Sequence, residues 1–461
     1  MSSPHDASVK SLAVSMSGGG HRATLFVLGA LMYLVDVKAN AFVSSIASVS
    51  GGSITNGMVG QNLDFRQTNG DEFRSRVASP LATQIARHGT LFAPVFSKVY
   101  VAILIVVGLL VLAILIPPLV PVHWLVRYGL FLIGLTVWGW ILAARGNVCA
   151  SAFNSTLFSP NGRTTKLSQI KKDNLDHVIC STEFRSQEAV YFAGDFVYSY
   201  ALGHGGPGEL PLAKAVQASA AFPGGFPPST LPTKDHNFTG APSPKDGGPP
   251  YPPAEMVLTD GGVYDNMGDQ WARGLAKRFG ACDKLRPGRD VPDRLVVVNA
   301  SARVPWIPFS RRRLPLVGEL MAIVRVLDVM YINTTNVRRQ DIVASYNPLD
   351  PSKTTGLPTV LVQISQSPFK VAKFFAKFTE PAAMRAQEVL KLLGPTEDEW
   401  EKMADDNSAV GTSLSKFKPE VVARLIYQGY VVTMCNLHVF FDDFPLVPDA
   451  LSIDRFRTLI K

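Results

Sequence analysis

The sequence predicts an α/β chain built on a parallel sheet and interrupted by an inserted hydrophobic helical hairpin. Three observations carry this. Near the N-terminus two apolar strand-like runs each end in a Gly/Ser-rich turn and lead into a further run with helical character, the start of a βαβ arrangement. Two uncharged runs of near-spanning length follow in tandem within residues 99–144. Beyond them, strand-like apolar runs resume near residues 176–195 and at Leu295–Asn299.

The first strand-like run, Leu12-Ala13-Val14, leads to Ser17-Gly18-Gly19-Gly20-His21-Arg22. Successive glycines open backbone conformations closed to other residues, so neighbouring N–H groups can converge on one anion. The stretch Ala23 to Leu31 reads as a buried helix whose positive end aims at the same place. Such donors suit the oxyanion of an acyl transfer. A nucleotide loop is the alternative, but neither G-x-G-x-x-G nor a G-K-S/T ending is present. Arg22 suits a phosphate-bearing substrate or is a solvated charge at a helix start.

The second run, Val43 to Ala47, leads to Ser48-Val49-Ser50-Gly51-Gly52-Ser53. A serine between strand and helix can sit on a strained elbow with its hydroxyl above the sheet. Gly52 supplies the small residue two positions after Ser50, whereas Ser48 stands where G-x-S-x-G has its first glycine. In isolation such a run is as consistent with a loop or a helix cap.

Residues 61–98 read as mixed and partly helical. From Val99 to Ile116 there are 18 residues without charge, then a proline-rich joint at Pro117-Pro118-Leu119-Val120-Pro121, then a second uncharged run from Tyr128 to Ala144. A spanning helix needs about 20 apolar residues. Tyr100, Trp124, Tyr128, Trp138 and Trp140 suit membrane interfaces. Basic residues flank the hairpin on both sides, with Arg74, Arg76, Arg87 and Lys98 before it and Arg145, Arg163, Lys166, Lys171 and Lys172 after it. The joint carries only His123 and Arg127, so the positive-inside bias predicts two passes with the rest of the chain on the cytoplasmic side. A re-entrant hairpin and a buried hairpin are the rivals.

Downstream, Pro223 to Pro253 is dense in Pro and Gly and reads as a surface loop or lid. It precedes Met256-Val257-Leu258-Thr259-Asp260-Gly261-Gly262, an apolar strand ending in a carboxylate and a sharp turn. An aspartate acts as base toward a hydroxyl only when desolvated and hydrogen-bonded to it; Asp-Gly is otherwise an ordinary turn. Met321 to Val343 and Pro381 to Leu393 read as helical, and the sequence from about 400 onward carries no motif. The order Ser50, Asp260, His438 mimics a hydrolase triad, but His438 lies in an apolar run without loop character and reads as packed. His21 reads as lining the site.

In order and joint occurrence, S-G-G-G-H-R, a serine elbow and D-G-G resemble the patatin-like phospholipase family and the related cytosolic phospholipases A2. Ala215-Val216-Gln217-Ala218-Ser219-Ala220-Ala221-Phe222-Pro223 with Phe226-Pro227-Pro228 resembles the family's block before the aspartate, and Val178 to Glu183 with Ala189 to Phe192 is similar to its intervening strand pair. The resemblance implies a three-layer α/β fold, a Ser–Asp dyad of Ser50 and Asp260, an oxyanion hole from Gly18, Gly19 and Gly20, and Arg22 toward a head-group phosphate. It implies a lipid acyl hydrolase of phospholipase A or lysophospholipase type, acting on membrane lipid without metal or cofactor. A transacylase with the same dyad and a non-catalytic membrane protein on the same fold are the alternatives. The organisation expected is a first catalytic segment at 1–98, the hairpin at 99–144, a second catalytic segment at 145–345 and a helical C-terminal region at 346–461.

Composition agrees with a membrane-associated protein. The formal net charge is +8, part of it in Val304-Pro305-Trp306-Ile307-Pro308-Phe309-Ser310-Arg311-Arg312-Arg313, which suits an anionic lipid surface or a solvated basic turn. No nucleic-acid fold signature accompanies it. The four cysteines, Cys149, Cys180, Cys282 and Cys435, have neither C-x-x-C spacing nor the density of a disulfide framework.

Overall fold

The computed structural model describes residues 10–116, 119, 122–240, 252–285, 289, 291–301, 315–346, 349, 354–378 and 381–461. Pro117, Pro118, Val120 and Pro121 of the predicted joint, residues 241–251 of the predicted lid, and the basic stretch at 304–313 lie outside them.

The described residues form ten strands: β1 (Leu12–Met16), β2 (Val43–Val49), β3 (Asp176–Glu183), β4 (Ala189–Phe192), β5 (Val197–Ser199), β6 (Gly203–Gly205), β7 (Ser229–Pro232), β8 (Glu255–Asp260), β9 (Arg294–Asn299) and β10 (Thr359–Gln363). One sheet runs β10-β9-β1-β2-β3-β4-β5-β6. The first five strands in that order are parallel, and β4 to β6 form an antiparallel meander. The Pro/Gly-rich stretch expected to be loop contains β7, which pairs with β8 antiparallel.

Parallel strands are covered on both faces, so alternate side chains feed two cores. Val14, Met16, Ile46, Val296 and Val298 face one core, and Ala13, Leu295 and Val297 face another shared with Met267 and Ile342. On that second side Ala47, Val49, Val178 and Cys180 pack with Trp271 and Leu275. The result is a three-layer α/β arrangement. Its helices include α1 (Gly20–Asp36), α2 (Gly51–Asn62), α3 (Val95–Ala113), α4 (Trp124–Ala143), α5 (Arg145–Thr156), α6 (Leu212–Ser219), α7 (Pro315–Ser345) and α8 (Pro419–Phe440).

Helix α1 is buried nearly end to end because α8 lies against it. A Cβ on Gly29 would lie 2.0 Å from the Ile426 carbonyl oxygen, and one on Gly429 2.0 Å from that of Phe26, so the two backbones touch. Within the region from 346 onward, expected to be helical, β10 extends the sheet beside β9, and α8 completes the layer over α1.

Helices α3 and α4 pack antiparallel as a hairpin. The Trp138 indole donates to the Leu104 carbonyl at 3.0 Å, and the Tyr100 hydroxyl to that of Ile141 at 2.8 Å. Both helices are long and apolar enough to cross a membrane by length and composition. Ile105, Leu109, Leu110, Trp124, Ile133 and Trp140 are each more than half exposed.

Candidate active site

The strand register brings Ser50 and Asp260 together. Along one edge of β3, parallel β2 ends with Val49 opposite Cys180, and antiparallel β8 ends with Asp260 opposite the next residue, Ser181. The opposite edge of β3 is taken by β4. Strands β2 and β8 therefore meet head to head, and the residue after β2 is Ser50.

Ser50 has φ 50° and ψ −115°, a strained combination for a residue with a Cβ. Its N–H donates to Ser219 Oγ at 2.9 Å, and Ser219 in turn donates to the Cys180 carbonyl at 2.6 Å. Close approach of the elbow requires its glycines: a Cβ on Gly51 would sit 2.1 Å from the Gly20 carbonyl oxygen. Ser48 fits where a glycine was expected because its hydroxyl is used. It donates to the Val178 carbonyl at 3.0 Å and accepts from Ser53 at 3.1 Å and Asn56 at 2.9 Å.

Asp260 is 4% exposed. Burial raises its carboxyl from 3.8 to about 7, against the lowering effect of the Gly262 N–H and of the Ser50 side chain beside it. The Gly262 bond to Oδ1 is 2.7 Å. The backbone N–H of Asp260 is held by the Ala221 carbonyl at 3.1 Å and that of Gly261 by the Ser219 carbonyl at 3.2 Å. The Ala-Ser-Ala-Ala segment thus supports both Ser50 and Asp260.

The glycine loop lies beside this pair, with an ideal Cβ on Gly18 only 3.2 Å from Ser50 Cβ. Gly19 and Gly20 have φ +138° and +57°, values that favour glycine. Their N–H groups have no acceptor among the described residues. Gly18 differs from expectation: its N–H donates to the Asn266 carbonyl at 3.1 Å, which removes it from the set of free oxyanion donors.

Arg22 also departs from its expected place facing substrate. Its side chain is buried, and Nε donates to the Ala300 carbonyl at 2.9 Å, Nη1 to the Val410 carbonyl and Nη2 to Thr412 Oγ1 at 3.4 Å. Burial lowers its pKa to about 10, so it remains a cation. His21 does not line the site either. It bridges the Ser415 carbonyl at 2.8 Å and Thr90 Oγ1 at 2.9 Å, and burial lowers its pKa to about 4. His438 is held by the Phe444 carbonyl at 2.7 Å and Glu388 at 3.0 Å. Among the described residues there is no group of three or more His, Cys, Asp or Glu disposed to hold a metal.

The sequence assigned no role to Ser219, which lies in the Ala215 to Pro223 block, or to Asn266, four residues beyond Gly262. Asn266 Oδ1 sits 2.7 Å from the ideal Cβ of both Gly18 and Gly262, so it fills the space that two glycines leave open. Tyr331 of α7, whose ring edge would lie 2.8 Å from a Cβ on Gly262, had no signal in the sequence.

Among solved structures the chain is similar to human GIVD cytosolic phospholipase A2, at 13% identity and TM-score 0.37 over 64% of this chain and 46% of that one. It therefore spans under half the length of that protein. It is also similar to VipD from Legionella pneumophila, at 12% identity and TM-score 0.26 over 98% of this chain and 90% of that one. No curated protein matches. Residues 14–268 match the family model described as patatin-like phospholipase; that is more than half of the 461 residues, and the chain belongs to this family.

Proposed function

We propose that the protein is a membrane-anchored serine lipid acyl hydrolase, of phospholipase A or lysophospholipase type, working through a Ser50–Asp260 dyad. The observation that carries this is the head-to-head meeting of β2 and β8 on β3, which sets Ser50 beside a buried carboxyl raised to about 7. A carboxylate of that basicity is matched to accepting a proton near neutral pH. Ser50 Oγ attacks the acyl carbonyl while its proton passes to Asp260. The carbonyl oxygen becomes an oxyanion beside the N–H groups of Gly19 and Gly20. Collapse breaks the bond to the leaving oxygen, which takes the proton from Asp260. Water then attacks the acyl-enzyme, giving its proton to Asp260, and the fatty acid leaves as Ser50 is reprotonated. Loss of one hole donor in such sites costs about 10²–10³ in turnover.

Arg22 serves here as a positioning residue for the glycine loop, and α3 and α4 hold the enzyme in the bilayer with the active site on the cytoplasmic side. Their exposed apolar side chains and the basic flanks support that placement. The test is labelling by a fluorophosphonate, which reacts only with an activated serine, together with ester hydrolysis. Wild type labels; Ser50→Ala and Asp260→Asn each lose nearly all turnover while remaining folded, and the double variant is little worse than either. Strong residual hydrolysis in folded Ser50→Ala would end the assignment.

A further inference from the structure

Tyr331 is bracketed by the two segments that hold Asp260. Its ring lies against Gly262, whose N–H donates to Asp260 Oδ1, and is tilted by 43° at 5.6 Å from the ring of Phe222, the residue after the Ala221 carbonyl that accepts the Asp260 N–H. Its hydroxyl oxygen is shielded from solvent and has no hydrogen-bond partner among the described residues. Burial, and then the charge of Asp260, raise the phenol well above its ordinary value, so it stays a protonated donor at any working pH. A buried donor without an acceptor is unfavourable, and the arrival of a substrate oxygen relieves it.

Which oxygen arrives follows from the layout. The acyl carbonyl oxygen belongs at the free N–H groups of Gly19 and Gly20. The oxygen that approaches Asp260 is the leaving one, because it must collect the proton Asp260 took from Ser50. We infer that Tyr331 is a further catalytic residue, donating a hydrogen bond to the leaving-group oxygen of a lipid ester as its bond to the acyl carbon breaks. The inference rests on the dyad proposed above. In this step the proton that ends on the alcohol comes from Asp260, and the Tyr331 proton stays on its own oxygen. Tyr331 lowers the negative charge on the departing oxygen until that transfer is complete.

Tyr331→Phe removes the hydroxyl and keeps the ring. It should lower kcat/KM for an ester of an alkyl alcohol about tenfold. An aryl ester of the same acyl chain, whose leaving group departs without help, should be nearly unaffected. The melting temperature should hold or rise, since an unsatisfied buried donor is lost. Equal losses on both esters, or wild-type turnover of both, would overturn the role while leaving the dyad standing. A drop in melting temperature with an unchanged ratio between the esters would make Tyr331 structural. A wild-type protein that fails to label with fluorophosphonate retires the dyad, and Tyr331 with it.

Discussion

At the scale of single residues, the candidate site runs on one buried carboxyl and the hydroxyls around it. Ser48, Ser53 and Ser219 form a chain of hydrogen bonds beneath Ser50, with Asn56 closing it, so the strained elbow is held by partners on β3 and α6 rather than by its own turn alone. The proposed role of Asp260 predicts opposite effects of its ionisation on activity and stability. Its folded value of about 7 lies above the ordinary 3.8, so the native state binds an extra proton between roughly pH 4 and 7, and folding stability attributable to this group falls as pH rises through that window. Under the proposed dyad, hydrolysis needs the carboxylate and should rise through the same window. The kcat/KM profile on a soluble ester should show an acid limb near pH 7. Asp260→Asn, which cannot ionise, should melt at or above wild type at pH 8, with the difference closing toward pH 4. An acid limb near 4 would mean the carboxyl is not held out of water.

At the scale of elements, the glycine loop is clamped from outside by the segment from Val410 to Ser415. His21 N–H donates to the Ser413 carbonyl at 2.9 Å, a Cβ on Gly20 would lie 2.7 Å from that same oxygen, and Arg22 ties Val410 to Ala300. Arg22→Ala should therefore lower turnover of a phospholipid and of an uncharged ester by the same factor, and lower the melting temperature, since each hydrogen bond to a charged group contributes about 1.5–3 kcal/mol. Arg22→Lys should not rescue it, because an ammonium lacks the planar fork that reaches several acceptors. A loss confined to the phospholipid would return Arg22 to the substrate. This element also marks what the sequence made legible. The turns at Gly18–Gly20 and Ser48–Gly52 were readable because strand, glycine and helix signals lie side by side there. The clamp was not, since Arg22 and Val410 are 388 positions apart and their meeting depends on α8 packing against α1. Separation along the chain likewise hid the engagement of Gly18 by Asn266 and the position of Tyr331.

At the scale of the whole molecule, the α/β layers and the hairpin obey opposite surface rules. The sheet and α1 are buried almost throughout, whereas α3 and α4 bury hardly any of their apolar side chains among the described residues. A 19-residue helix such as α3 is about 28 Å long, close to the roughly 30 Å hydrocarbon core of a bilayer. Its base is fixed to the catalytic layers where Arg145 donates to the Gly225 carbonyl at 2.9 Å, in the stretch that leads to β7 and β8. The hairpin thus joins the rim of the candidate site through one short path. Integral anchoring predicts that the protein resists extraction by high salt and alkaline carbonate yet dissolves in detergent. Of the native thiols Cys149, Cys180 and Cys435 are buried, so a Cys282→Ser background suppresses the remaining signal. In that background Leu119→Cys should react with an impermeant thiol reagent from the far side of sealed membranes, and Lys172→Cys only from the cytoplasmic side. Release by carbonate would exclude integral anchoring. Labelling of both positions from the cytoplasmic side alone would make the hairpin re-entrant, and the dyad chemistry would then act on the same leaflet into which the hairpin dips.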